Sequence, residues 1–202
     1  MPRLCLTAVV LLVLSLAPVA ARSADADRDL VGRVMTEAVA DFAGQTLTAE
    51  QRAQRLQQLI DRFGDTTLFA GDMLGRYWRR LPPDRQAAFA SLLGRYLKGC
   101  WSSTLTGVPA SLTLDLAASE NTADGRVVIH SLATIPDDTL ALDWTIAHTP
   151  DGRAVVADVA VDGMSVLKTM KDDITAVLHG NGGNMDLVFA ALEAKLAGQK
   201  AQ

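Results

Sequence analysis

The side chains able to do chemistry in this 202-residue chain are scattered, and none of them forms a recognised catalytic set. The three histidines, His130, His148 and His179, fall on two predicted strands and a loop, without the spacing that holds zinc. His130 and His148 fit ordinary surface positions on neighbouring strands. The sequence therefore predicts no metal site.

Three further features have the right residue types but the wrong context for catalysis. Gly163-Met164-Ser165 is followed by Leu167 where a nucleophile elbow has glycine. Cys100 lies on an apolar helical stripe, where a thiol behaves as a small apolar side chain. Asp158 and Asp162 lie on one side of a strand and suit acid-base chemistry, but no partner perturbs them, so we interpret them as its solvated face. We predict no catalytic residue, no cofactor and no enzyme activity.

The first 21 residues have the three regions of a secretory signal peptide. Arg3 supplies the positive charge, Leu4–Leu16 is an uncharged apolar run, and Val19-Ala20-Ala21 offers small residues for cleavage. The apolar run is shorter than the ~20 residues that span a bilayer. We therefore predict a signal peptide over residues 1–21 and one soluble, exported domain over residues 22–202, located in the periplasm.

Charge and cysteine content narrow the possible partners of the mature chain. Cleavage removes Cys5 and leaves Cys100 as the single thiol, so no intramolecular disulfide is expected. The full chain has 19 basic and 23 acidic side chains, and its only basic cluster is Arg76, Arg79 and Arg80. Nucleic acid is therefore excluded as a partner, and we expect a monomer.

Helical spacing of apolar residues predicts four helices in the first half of the chain. The first covers Leu30–Phe42, and Thr48 with Gln51 forms a capping-box pattern for the second. Asp65 or Thr66 caps a third helix that continues through Tyr77 and Trp78. Pro83 begins the fourth, whose unbroken apolar stripe is the strongest periodic signal in the chain: Phe89, Leu92, Leu93, Tyr96, Leu97, Cys100 and Trp101.

After Pro109 the apolar period changes to two, which predicts strands. Four segments show it, at Leu112–Leu116, Val127–Ile135, Leu140–Ile146 and Val155–Val161. Short turn segments between them favour an antiparallel meander, and two helices follow Gly163. The prediction is an α+β fold in which a four-stranded antiparallel sheet has one face covered by about six helices.

The apolar side chains exceed what four thin strands need, which favours a cavity between sheet and helices. Moving an acyl chain into such a cavity gains about 0.8 kcal/mol per methylene. A fully packed core is the simpler explanation for any single residue. The residues we predict to contact a ligand, chosen by period and size, are Phe69, Met73, Trp78, Phe89, Leu93, Leu97, Trp101, Trp144, Ile146, Val159, Val161 and Met170.

Two motifs carry a resemblance to a known family. Met73–Phe89, reading MLGRYWRRLPPDRQAAF, and Asp158–Val166, reading DVAVDGMSV, resemble elements of the MlaC-type periplasmic lipid-binding proteins, also called the toluene-tolerance family. The resemblance extends from about Leu30 to Leu196. It implies a fold related to nuclear-transport-factor-2-like domains, with lipid tails between sheet and helices and the head group exposed. It also implies a shuttle that exchanges phospholipid between an outer-membrane lipoprotein complex and an inner-membrane ABC transporter.

This chain departs from the family pattern at several positions. Ala154 and Ala157 replace the usual aromatic residues, and Met170, Lys171 and Ile174 replace another aromatic segment. These changes would reshape a pocket, so the resemblance leads us to expect a phospholipid or a sterically different lipid, such as that of the family's hopanoid-associated branch.

The basic cluster of Arg76, Arg79 and Arg80 has no purely structural explanation in the sequence, and we predict that it contacts a partner or a lipid head group. Two alternatives to a lipid carrier remain at this stage. One is a small-molecule enzyme with a carboxylate or histidine in the cavity. The other is a ligand-free adaptor that binds proteins through the three arginines.

Overall fold

The computed structural model describes the backbone of residues 19–104 and 108–200 and the side chains of 24–100, 108–165 and 167–199. The predicted signal peptide lies outside the described residues up to position 18, so that interpretation stays a prediction. No helix within these ranges is long and apolar enough to cross a membrane.

The fold is α+β, as predicted. The helices are α1 (Val19–Phe42), α2 (Ala49–Phe63), α3 (Thr66–Leu74), a 3₁₀ helix (Gly75–Arg80), α4 (Pro83–Thr104), α5 (Val166–Gly180) and α6 (Met185–Lys200). The strands are β1 (Thr113–Asn121), β2 (Val127–Ile135), β3 (Asp138–His148), β4 (Ala154–Val161) and β5 (Met164–Ser165).

Side-chain caps fix the starts of α2 and α3. The backbone N–H of Gln51 donates to Thr48 Oγ1 at 3.2 Å, and the backbone N–H of Thr48 donates to Gln51 Oε1 at 2.9 Å. These two bonds confirm the capping box. Asp65 Oδ1 accepts from the amides of Thr67 and Leu68. The predicted continuation of the third helix is wrong, because Gly75 adopts a φ of 52° and the chain continues as the 3₁₀ helix.

The sheet is an antiparallel meander with strand order β1-β2-β3-β4-β5. It has five strands rather than the predicted four, because the two residues of β5 pair with Ala160 and Val161. The turn before β5 is Asp162-Gly163, with φ values of 48° and 76°, the combination that suits a two-residue hairpin. Two residues are too few to show a period, so the pattern could not predict this strand.

A bulge changes the phase of β4. Thr145 pairs with Asp158 and Ile146 pairs with Val156, which leaves Ala157 without a partner on β3. The predicted single series of inward residues along β4 is therefore wrong: Val155 and Ala157 belong to one face, whereas Val159, opposite Trp144, belongs to the other.

The fourth predicted helix packs chiefly against other helices. α4 contacts α2, α3 and α6, and Phe89, Leu93 and Leu97 are completely buried. The rings of Phe89 and Phe189 meet edge to face at 5.6 Å, joining α4 to α6. Helix α1, in contrast, lies against β1, β2 and β4.

Candidate functional site

An apolar cavity of about 360 Å³ lies between the sheet and the two helices that precede α3. Its walls come from α1, α2, the start of α3 and strands β2, β3 and β4. Within the described residues, every side chain that lines it is apolar except that of Asp158. A cavity of this kind excludes polar groups and accepts hydrocarbon.

The polar atom of the largest wall residue is directed away from the ligand space. Trp144 is 4% exposed, and its indole N–H donates to Ser131 Oγ at 2.9 Å. The Ser131 hydroxyl donates in turn to the Leu142 carbonyl at 3.2 Å. Because the indole N–H already has an acceptor, the ring offers the cavity only its apolar surface.

Four of the residues predicted to contact ligand line this cavity: Phe69, Trp144, Val159 and Val161. Phe69 lies near the start of α3, and the other three lie on one face of the sheet, close to the bulge in β4. Contact with a ligand stays a prediction for them.

Seven of the other eight do not line it. Phe89, Leu93 and Leu97 are completely buried in packed core, because neighbouring helices enclose the apolar stripe of α4. Ile146 is completely buried within β3. Met73 and Met170 border other, smaller spaces. Trp78 is half-buried beside Gly71, and the side chain of Trp101 lies outside the described residues.

The sequence reasoning missed the helical wall of the cavity. Val34, Met35 and Ala38 of α1 face Leu56 and Ile60 of α2 across the space. Their spacing predicted the helices but gave no sign of a void. The available signal was Ala38, whose short side chain leaves volume on the cavity side of α1.

The cavity wall reaches the surface at β5. Met164 lines the cavity, yet its side chain is among the most exposed of the large apolar residues, at 74%. The Asp162 amide donates to the Ala141 carbonyl at 2.8 Å, and Asp162 Oδ1 accepts from the Ala141 amide at 3.0 Å. These bonds fix the turn, so Met164 is held in solvent at the edge of the cavity.

The predicted arginine cluster lies outside the cavity. The Arg76 guanidinium stacks 5.0 Å from the Tyr77 ring centre and donates to the Tyr77 hydroxyl at 3.1 Å. The Tyr77 ring in turn approaches Gly183, where an added Cβ would lie 2.7 Å from the ring. Arg79 and Arg80 are exposed, and neither has an ion pair within the described residues.

A second, polar space adjoins the apolar cavity, and we call it the polar chamber. It encloses about 260 Å³ and shares two wall residues, Phe69 and Asp158, with the cavity. Burial raises the pKa of the Asp158 carboxyl, an effect that hydrogen bonding from Ser165 opposes. Asp158 is half-buried, so our interpretation of it as solvated strand surface is wrong.

Two hairpins with the same five-residue pattern hold α3 in place. Thr122–Arg126 reads TADGR and Thr149–Arg153 reads TPDGR, and in each the threonine amide donates to the arginine carbonyl at 2.9 Å. Arg126 then bonds Asp72 at 2.6 Å, and Arg153 bonds Asp65 at 3.2 Å. The hairpins therefore connect the sheet to both ends of α3.

Two strand histidines pair with carboxylates. His130 Nδ1 lies 2.7 Å from Asp143 Oδ1. His148 Nε2 lies 3.1 Å from Asp27 Oδ1, and Asp27 is completely buried where α1 meets the sheet. The contact is a close ion pair when His148 is protonated, not an aligned hydrogen bond. Burial raises the pKa of Asp27, and His148 opposes that shift.

These features supply little for catalysis. Within the described ranges, no three histidine, cysteine or acidic side chains gather to hold a metal ion. Among the described residues, Asp158 is the one titratable side chain in the cavity wall. No described nucleophile or second acid lines the cavity beside it. A helix-walled apolar cavity on an antiparallel sheet, with a polar space at one side, has the two kinds of surface that an amphiphile requires.

Comparison with known proteins identifies a family and a similar fold. The chain belongs to the MlaC protein family, whose sequence model matches residues 28–194. It is similar to the structure of a phospholipid-binding protein from Ralstonia solanacearum in complex with a phospholipid, with a TM-score of 0.71 and 22% identity. The match covers 86% of this chain and 98% of that one. No curated protein sequence matches the chain.

Proposed function

We propose that this protein is a soluble periplasmic lipid carrier that holds acyl chains in the apolar cavity between α1, α2 and the sheet. The single observation that carries the proposal is the cavity itself, about 360 Å³ of space with an apolar wall interrupted only at Asp158 within the described residues. Water in such a space lacks hydrogen-bond partners, so hydrocarbon is the favoured occupant.

The size of the cavity sets what it accepts. A methylene is close in size to a water molecule, whose share of liquid volume is about 30 Å³, so the space holds about 12 methylenes. At about 0.8 kcal/mol each, their burial contributes about 10 kcal/mol to binding before ordering costs. One acyl chain fits the cavity in this form, and a second requires its wall to move.

The transport role rests on family membership and on the predicted signal peptide. The lipid is a phospholipid or a related lipid such as a hopanoid. The protein receives and delivers it between an outer-membrane lipoprotein complex and an inner-membrane ABC transporter complex. The exposed Arg79 and Arg80 are the candidate contacts for those complexes, since they have no ion pair within the described residues.

Blocking the cavity tests lipid binding. Ala133 lines it and is 2% exposed, whereas the neighbouring Leu132 is 48% exposed and absent from its wall. Protein purified from its host is extracted with organic solvent, and the lipid is quantified by mass spectrometry. We expect about one lipid per protein in wild type and in the control Leu132→Phe, and several-fold less in Ala133→Phe. Lipid-free wild-type protein would contradict the proposal.

The adaptor alternative predicts a different result from Arg79→Gln with Arg80→Gln. Loss of partner binding in the presence of normal lipid content supports docking at the arginines. If the double variant binds the transport complexes as wild type does, the arginines have no docking role.

A further inference from the structure

The methionine side chains of this protein differ widely in their access to solvent. Among the described residues, Met73 and Met170 are buried in the core, and Met35 and Met185 are half-buried. Met164 is exposed. The oxidation of a methionine follows its accessibility, so a dissolved oxidant reaches Met164 more readily than the others.

The two-residue strand β5 holds Met164 in this exposed position. Met164 pairs with Val161 of β4 across the turn between them. Asp162 in that turn bonds Ala141 of β3 through both its backbone N–H and its carboxylate. On the other side of Met164, Ser165 Oγ accepts a backbone N–H in the first turn of α5 at 2.8 Å. Because the backbone is fixed on both sides, the Met164 side chain stays at the surface.

The same side chain is part of the apolar cavity wall. Phe63 and Phe69, which also line the cavity, are buried. Val161 is half-buried, and its strand partner Met164 is exposed. This change in burial along the wall places the mouth of the cavity beside β5. An acyl chain in the cavity therefore has Met164 beside the part of the chain that lies nearest to solvent.

We propose that Met164 is an oxidation site through which hydrogen peroxide weakens lipid binding by the carrier. The thioether sulfur attacks the peroxide, so that an S–O bond forms and the O–O bond breaks. The sulfur is oxidised by two electrons to the sulfoxide, and the peroxide is reduced to water. A sulfoxide is polar, whereas the thioether is apolar. An acyl chain packed against the sulfoxide removes its water without supplying a hydrogen-bond donor, which opposes binding. The proposal rests on the proposed function, because it requires the acyl chain to occupy the cavity.

Oxidation rates with and without lipid test the position of Met164. Lipid-free protein and protein saturated with lauroyl lysophosphatidylcholine are treated with hydrogen peroxide, and peptide mass spectrometry quantifies the sulfoxide at each methionine. In lipid-free protein we expect Met164 to be oxidised about tenfold faster than the buried Met73 and Met170, and bound lipid should slow its oxidation several-fold. Met185, which does not line the cavity, is the internal reference and should be oxidised at the same rate in both. Equal rates at Met164 with and without lipid would overturn the proposal.

Affinities measured before and after oxidation test the consequence. Calorimetric titration with the lysolipid should show that complete oxidation of Met164 raises the dissociation constant of wild type about tenfold. Met164→Leu keeps the wall apolar without the sulfur, so its affinity should match that of untreated wild type and stay unchanged after peroxide. Met164→Gln, a polar side chain of similar length, should bind as weakly as oxidised wild type. An equal loss of affinity in peroxide-treated Met164→Leu would assign the effect to another methionine, such as Met35 in the cavity wall, and overturn the proposal.

Enzymatic reduction and the untreated protein separate the remaining outcomes. The two classes of methionine sulfoxide reductase, which act on the two sulfoxide epimers, should together restore the affinity of oxidised wild type. An affinity that stays low after complete reduction would attribute the loss to other damage and overturn the proposal. Normal binding that oxidation of Met164 leaves unchanged would overturn only the role of Met164. Failure of untreated wild type to bind the lysolipid would contradict the proposed function, and this proposal with it.

Discussion

Two apolar regions of this protein have similar composition and opposite packing. Around α4, Phe89, Leu93 and Leu97 are fully enclosed by neighbouring helices. Between α1, α2 and the sheet, residues such as Ala38 and Leu140 border about 360 Å³ of space. Protein interiors are normally packed as densely as organic crystals, so a void of this size needs a reason. The comparison shows that an apolar helical stripe marks a buried face in both regions and does not distinguish packed core from cavity wall.

The regions also differ in buried charge. Asp27 is the one completely buried carboxylate among the described residues, and it lies on α1 on the cavity side of the molecule. Helix α4 has no buried charged side chain within its described residues. Burying a carboxylate costs stability unless it is paired, and the ion-pair partner of Asp27 is His148, at 3.1 Å, so stability on the cavity side should depend on pH.

Matched leucine truncations should give the largest contrast. Leu93→Ala removes a completely buried side chain from the α4 core and should lower the free energy of unfolding by about 2 to 5 kcal/mol. Leu140→Ala removes a half-buried side chain that already borders space, and should cost about 1 kcal/mol. Urea unfolding of lipid-free protein measures both. Equal losses would show that the cavity is closed in solution.

Replacing an alanine by phenylalanine in each region tests the same packing difference by adding volume instead of removing it. Ala90→Phe, at an 8% exposed position of α4, forces a ring into filled volume and should cost about 1 to 3 kcal/mol. Ala133→Phe places the same ring in the cavity and should change the free energy of unfolding by less than about 1 kcal/mol. Thermal unfolding without lipid provides the comparison. A larger loss in Ala133→Phe than in Ala90→Phe would contradict the packing difference.

The smallest effect is a pH dependence at the cavity side. Since the pKa of Asp27 in the folded state is raised above its ordinary value of 3.8, the folded protein holds a proton that the unfolded chain has released. That contribution to stability is full below about pH 3.8 and is lost as pH rises through the folded pKa. Asp27→Asn removes it.

The difference in unfolding free energy, Asp27→Asn minus wild type, should therefore increase with pH from about 3.8 and then level off. When both proteins also carry His148→Gln, the same difference should increase more with pH, because His148 opposes the rise in the Asp27 pKa. Urea midpoints measured at a series of pH values provide the test. A difference that falls with rising pH would contradict the raised pKa.

The architecture was predictable because its signals are local. Thr48 with Gln51, Asp65 and Pro83 mark helix starts, and period-two alternation marks β2 and β3. The bulge at Ala157 and the two-residue β5 escaped prediction because both depend on pairing with a neighbouring strand. The cavity escaped it for a similar reason. Periodicity shows which face of a helix is buried, whereas a void depends on the volumes of residues far apart in sequence.

A photoactivatable lipid tests the central claim most directly. A phospholipid carrying a diazirine at the end of its acyl chain is bound to the protein and irradiated, and the adducts are located by peptide mass spectrometry. We predict adducts on cavity-wall residues of α1, α2 and β4, such as Met35, Ile60 and Val159. Adducts concentrated on Phe89, Leu93 and Leu97 of α4 would contradict the account, because they would place the acyl chain in what we describe as packed core.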